Sequence, residues 1–152
     1  MGRMHSKAFT LIELMVTLAV LGIFAAIAIP SISNLIETNR VQGATEELLS
    51  QLQYARAEAV VRNRVVTVEN TSGINGNWSD GLRIFASANR VANTAYNQAN
   101  DGPALREHPG FDQEGLTLNS NADRYLSFRP NGSLASAAEV LITVCFNNKT
   151  DK

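Results

Sequence analysis

From Phe9 to Ile29 the chain runs for twenty-one residues with a single charged side chain, Glu13. As an α-helix rising about 1.5 Å per residue, this run reaches about 30 Å, the thickness of a bilayer's hydrocarbon core. A carboxylate inside such a segment costs about 2.5–3.5 kcal/mol on insertion scales, so it calls for a partner. An amine created by cutting the chain just before Phe9 would supply one.

The residues ahead of the run fit that cut. Met1 to Ala8 contains Arg3 and Lys7 and no acid, a short basic leader. Basic flanks stay in the cytoplasm, which sets the N-terminus inside and the rest of the chain outside. A secretory signal carries its small-residue cleavage site after the apolar region. Here the small residue, Ala8, precedes it, so cleavage between Ala8 and Phe9 leaves the hydrophobic helix on the mature protein. A plain single-pass anchor with a Glu near its cytoplasmic end is the alternative reading.

The remaining sequence accommodates one modest domain: 152 residues in all, 45% of them apolar. After Pro30 there are 11 basic and 13 acidic residues, a balance of −2 that gives no whole-domain electrostatic footprint for nucleic acid. Cys145 is the sole cysteine, which excludes an internal disulfide. Its setting from Val140 to Phe146 reads as a buried strand with an inert thiol, an intermolecular disulfide being the alternative.

The helical pattern resumes after Pro30. Ile32, Leu35, Ile36, Ala44, Leu48, Leu52, Ala55 and Ala59 recur at helical spacing, forming a stripe that one domain would cover. Gly43 weakens this helix, Glu58 and Arg62 form a favourable i, i+4 pair, and the spine is expected to end near Asn63. Short strands follow at 65–69, 82–85, 116–118, 125–128 and 140–146, with Pro130-Asn131-Gly132 as a turn between the last two. The polar stretch from Asn89 to Gly110 reads as an irregular surface insertion. The expected fold is α+β, a long N-terminal helix packed on a small, mainly antiparallel sheet.

Ala8-Phe9-Thr10-Leu11-Ile12-Glu13-Leu14, followed by an apolar helix and Pro30, resembles the cleavage signal of type IV pilins and type II secretion pseudopilins. Further along, Leu48 to Arg62, Trp78-Ser79-Asp80-Gly81 and Phe128-Arg129-Pro130-Asn131-Gly132 are similar to segments of the GspH/FimT family of pseudopilins and minor pilins. The resemblance implies a pilin-like fold and cleavage by prepilin peptidase before Phe9, with N-methylation of the new Phe9 amine. Glu13 would contact a neighbouring subunit's N-terminus during assembly, and Pro30 would mark a kinked or melted part of the helix. The family has Gly before the cut, where this chain has Ala8.

Four segments are therefore expected: a cleaved leader at 1–8, a transmembrane and assembly half-helix at 9–29, an amphipathic half-helix at 30–64 and a β-rich head at 65–152. The resemblance implies an inner-membrane protein with a periplasmic head. It would be incorporated at low abundance in a type IV pilus, initiating or capping it, alongside other pilin subunits and an inner-membrane assembly platform. A type II secretion pseudopilus is the alternative.

A DNA-binding minor pilin is a further alternative. Family members linked to DNA uptake carry a basic Gly-Arg-x-Arg motif after the Cys-containing strand, and no such motif occurs in this sequence. Arg56, Arg62 and Arg64, with Lys149 and Lys152, are the candidate phosphate contacts, a solvated helix face being the competing explanation. No nucleophile and base are spaced for catalysis, and no cofactor or metal is implied. His108 reads as an exposed loop histidine, and Asp101, Glu107, Asp112 and Glu114 lack the ligand spacing of a calcium loop.

Overall fold

The computed structural model describes residues 9–111, 115–136 and 139–146, and only the backbone of the helical residues 27–31. Helix α1 spans Leu11–Arg62 and continues through Pro30 as helix. The chain divides into two parts, one ending at Thr38 and one beginning at Asn39.

In the first part, apolar side chains are exposed on every side of α1, from Leu11, Ile12 and Leu14 to Ile23 and Phe24. A helix that is apolar all round requires an apolar surrounding. Ile32, Leu35 and Ile36 are also exposed, at 55%, 60% and 47%. In the part that begins at Asn39, the packed stretch of the apolar stripe starts at Val41.

In the second part, Ala44, Leu48, Gln51, Ala55 and Ala59 form the buried face of α1. They are spaced three and four residues apart, as one helical face demands. Ala55 and Ala59 have no bulk beyond Cβ and are fully buried, which lets the helix lie close to the strands. The helix ends where Asn63 takes a left-handed conformation at φ 50°, with the Arg64 N–H bonded to the Ala59 carbonyl at 3.2 Å.

Strand β1 (Val66–Asn70) follows at once, then β2 (Leu82–Ala86), the single-turn α2 (Gln98–Asp101), β3 (Arg106–His108), β4 (Leu116–Ser120), β5 (Tyr125–Phe128) and β6 (Ile142–Phe146). Among the described residues all pairings are antiparallel, but the expected single sheet is two: β3-β2-β1-β5, and β4-β6. The turn at Pro130-Asn131-Gly132 does not pair the last two strands. It folds the chain back to bridge Leu134 against Phe128, after which β6 pairs with β4.

Alternation sorts the four-stranded sheet into two faces. Val66, Val68, Ile84, Leu126 and Phe128 join the core with the helix. Thr67, Glu69, Phe85 and Ser127 lie on the other face, and all four are buried. Their cover is the stretch expected to be an irregular surface insertion. The Asn93 N–H donates to Ser127 Oγ at 2.8 Å, the Tyr96 N–H donates to a Glu69 oxygen at 3.2 Å, and the Tyr96 ring sits 5.1 Å from Phe85. This stretch also supplies α2 and the edge strand β3, whose Arg-Glu-His sequence carries no strand alternation and is held by pairing with β2.

Candidate functional site: the N-terminal segment

The first turn of α1 is built by Thr10. Its Oγ1 accepts the Glu13 backbone N–H at 3.3 Å, and its carbonyl accepts the Leu14 N–H at 3.2 Å. Thr-Leu-Ile-Glu has the Ser/Thr-x-x-Glu spacing of a capping box, a signal in the sequence reading that went unused. The cap fixes Glu13 at the third helical position, where a carboxylate lies beside the helix's positive end.

Phe9 stands just before the cap, 80% exposed. Thr17 turns its hydroxyl back on the helix, donating to the Leu14 carbonyl at 2.9 Å. Both threonines of the described run are thus satisfied within the helix. Among the described residues from Phe9 to Ala26, only the Glu13 side chain presents hydrogen-bonding capacity that no other described residue uses.

Ala8 lies outside the described residues, and Pro30 is described only in its backbone. Among the described residues no helix is long and apolar enough to cross a membrane. The described side chains of the apolar run stop at Ala26, so the twenty-one-residue length is a property of the sequence.

The candidate basic residues do not form one array. Arg62 is paired with Glu58, and Arg64 donates to the Ala88 carbonyl at 3.0 Å. Arg56 is six residues before Arg62, roughly 120° around the helix from it, and packs beside Gly132. Lys149 and Lys152 lie outside the described residues.

His108 is corrected from an exposed loop position to the half-buried end of β3. Its ring stacks 4.7 Å from that of Phe111, its Nδ1 accepts the Gly110 N–H, and its Nε2 lies 3.7 Å from a Glu47 oxygen. The imidazole thus fastens the edge strand to the helix. Asp101 caps local backbone by accepting the N–H groups of Ala88 and Asn97, and Glu107 pairs with Arg83 at 2.7 Å. Asp112 and Glu114 lie outside the described residues. Among the described residues no group of three or more His, Cys, Asp or Glu side chains is placed to hold a metal ion.

Residues 44–152 match the family model for the type II transport protein GspH, and residues 3–29 match the prokaryotic N-terminal methylation motif. The chain belongs to the GspH family. Two crystal structures of the type IV minor pilin FimU from Pseudomonas aeruginosa share the fold. One is 33% identical with a TM-score of 0.59, covering 75% of this chain and 78% of that one. The other is 32% identical with a TM-score of 0.55, covering 72% and 77%. The type IV major fimbrial protein FimA of Dichelobacter nodosus is 29% identical over 112 residues, which are 74% of this chain. The match spans 60% of that protein's length. This GspH-family chain is thus a type IV minor pilin or pseudopilin with the α+β pilin fold, and its family is structural.

Proposed function

We propose that the mature protein begins at Phe9, after prepilin peptidase removes residues 1–8 and the Phe9 amine is methylated. Residues 9–29 then hold it in the inner membrane, 30–64 continue the helix, and the head from 65 onward faces the periplasm. An assembly platform moves the subunit into a type IV pilus as a minor component that initiates or caps the filament. The observation that supports this reading is the exposed apolar surface of α1 with one carboxylate in it that meets no partner among the described residues.

The chemistry follows from that arrangement. A free α-amine has a reference pKa near 8, so a neighbour's N-terminus arrives mostly charged at neutral pH. Burying both charges carries a desolvation cost that their attraction offsets only when they meet. The pair therefore selects register, because a subunit docked out of register leaves a charge unpaired. Pro30 lacks the N–H that would bond the Ala26 carbonyl, which makes that turn the one most easily opened during assembly.

Glu13→Ala and Glu13→Val should leave membrane insertion intact and reduce the protein in sheared filaments to background. Normal incorporation of Glu13→Ala, followed by shear fractionation and blotting, would sink the role. The match to the type II transport protein GspH favours a second reading, a pseudopilus subunit for protein export. A deletion strain that loses secretion while keeping its pili would select it. The DNA-binding reading draws on Arg56, Arg62 and Arg64, and failure of the purified protein to retard DNA at low salt would discard it.

A further inference from the structure

On the outer face of the four-stranded sheet, Thr67, Glu69, Phe85 and Ser127 are buried beneath the segment from Ala88 to Asp101. The segment itself adds nothing to the core, since each of its residues is exposed or half-buried. One side chain draws its ends together. The Asp101 carboxylate accepts the Ala88 N–H at 2.8 Å and the Asn97 N–H at 2.9 Å, closing a compact surface loop of the Ω type. Just outside the loop the backbone is fixed on both sides: the Ser87 N–H donates to the Val65 carbonyl at 2.9 Å, and the Leu105 N–H to the Ile84 carbonyl at 2.8 Å.

Three observations make this cover easy to lift. Among the described residues, its hydrogen bonds to the sheet are those of the Asn93 N–H to Ser127 Oγ at 2.8 Å and of the Tyr96 N–H to Glu69 at 3.2 Å. Its ring contacts are those of Tyr96 with Phe85 at 5.1 Å and with the Arg83 guanidinium at 4.8 Å. The polar groups beneath keep partners of their own without it, because the Thr67 and Ser127 hydroxyls lie 2.8 Å apart and Glu69 accepts from Arg124 at 2.9 Å. Lifting the cover therefore strands no buried polar group, which is what makes many local openings costly. Arg90 also holds φ at 58° in the closed loop, a strained conformation for a residue with a long side chain, and opening relieves it.

We propose that residues 88–101 form a strap that opens and closes as one unit while the head stays folded. The Asp101 closure keeps the loop together as it moves, and opening uncovers the Phe85 ring with Thr67, Glu69 and Ser127. Segments open locally where buried apolar contacts are few, and the half-buried Tyr96 is the main apolar attachment of this one. The proposal concerns the head alone and does not rest on the role of Glu13.

Native-state amide exchange tests it, read by NMR on the full chain in micelles over a urea series below the unfolding midpoint. The Asn93 and Tyr96 N–H groups report the strap. The Trp78 N–H, bonded to the Leu118 carbonyl at 2.9 Å, reports the head. Asn93 and Tyr96 should exchange through an opening at least about 100-fold more populated than that of Trp78 and almost independent of urea. Ser127→Ala removes the acceptor of the Asn93 N–H and leaves that of Tyr96 in place. It should speed exchange at both, by about five- to tenfold relative to Trp78. Protection equal to that of Trp78 with the same urea dependence, no protection at either strap amide, or a Ser127→Ala effect confined to Asn93 would each overturn the proposal. The wild-type comparison stands whether or not the variant folds.

Discussion

Gly81 is the position where one added carbon should do most damage to the head. Its φ is +138°, a backbone conformation that side-chain-bearing residues rarely adopt. A Cβ there would lie 2.6 Å from Thr71 Oγ1, 2.8 Å from the His108 carbonyl oxygen and 3.3 Å from the Pro109 carbonyl carbon. The threonine hydroxyl can rotate away, but the two backbone groups belong to the end of β3 and cannot. Backbone strain of about 1–3 kcal/mol and overpacking of about 1–3 kcal/mol together place the cost of Gly81→Ala near 4 kcal/mol. That is a large share of a domain's stability of about 5–15 kcal/mol. Trp78 is the only tryptophan and is fully buried three residues away, so its fluorescence reports head unfolding without a label. With a urea slope of about 1.5 kcal/mol per molar, the midpoint should fall by about 2–3 M for the full chain in micelles. Gly102→Ala is the control: φ is +75° but its Cβ would meet nothing within 4 Å, so it bears strain without the clash. A Gly81→Ala midpoint within about 0.5 M of wild type, or equal to that of Gly102→Ala, would refute the steric argument.

Gly43→Ala should act oppositely, raising stability by about 0.5–1 kcal/mol in the same assay, because Gly43 is an exposed helical position with open space around its Cβ. Glu69→Ala should cost about 2–3 kcal/mol, since it strips the Arg124 guanidinium of its partner at 2.9 Å and leaves the Tyr96 N–H unbonded. The cover over the outer sheet face should then open, read as faster tryptic cleavage at Arg90. Thr10→Val removes the helix cap while keeping Glu13. It should fray the first turn at a cost of about 1 kcal/mol, visible in amide exchange, and leave Glu13-dependent filament entry measurable. Abolished entry with unchanged exchange would refute the assignment of Thr10 to capping.

The parts of the fold legible in the sequence are those fixed by local pattern. The helix stripe from Ala44 to Ala59 needed only spacing, and β1 needed only its β-branched run. β3 was missed because Arg106-Glu107-His108 has no strand signal of its own and exists through pairing with β2. The split into two sheets was also hidden, since it depends on where Leu134 and β6 find partners after the turn, a non-local choice. At the candidate site the charge pattern around Glu13 was plain, whereas the Thr10 cap was overlooked although its spacing was in view. For Ile32, Leu35 and Ile36, periodicity reports an apolar face without saying what covers it.

That last ambiguity bears on function. In the head, the polar groups of the outer sheet face meet partners within the chain: Thr67 with Ser127, Glu69 with Arg124, Asn93 with Ser127. In the N-terminal part the balance is reversed. Both described threonines of the apolar run bond to the helix itself, the apolar side chains face outward on all sides, and Glu13 has no partner among the described residues. Neither lipid nor a bundle of identical apolar helices would satisfy that carboxylate without a cation at matching depth. Under the proposed processing, a cleaved N-terminus on an adjacent helix would be a cation whose depth is set by the cut itself. Moving the cut by one residue, or moving the glutamate by one, would therefore break the match while leaving hydropathy almost unchanged. In the proposed assembly, register more than greasiness would be the property this segment encodes.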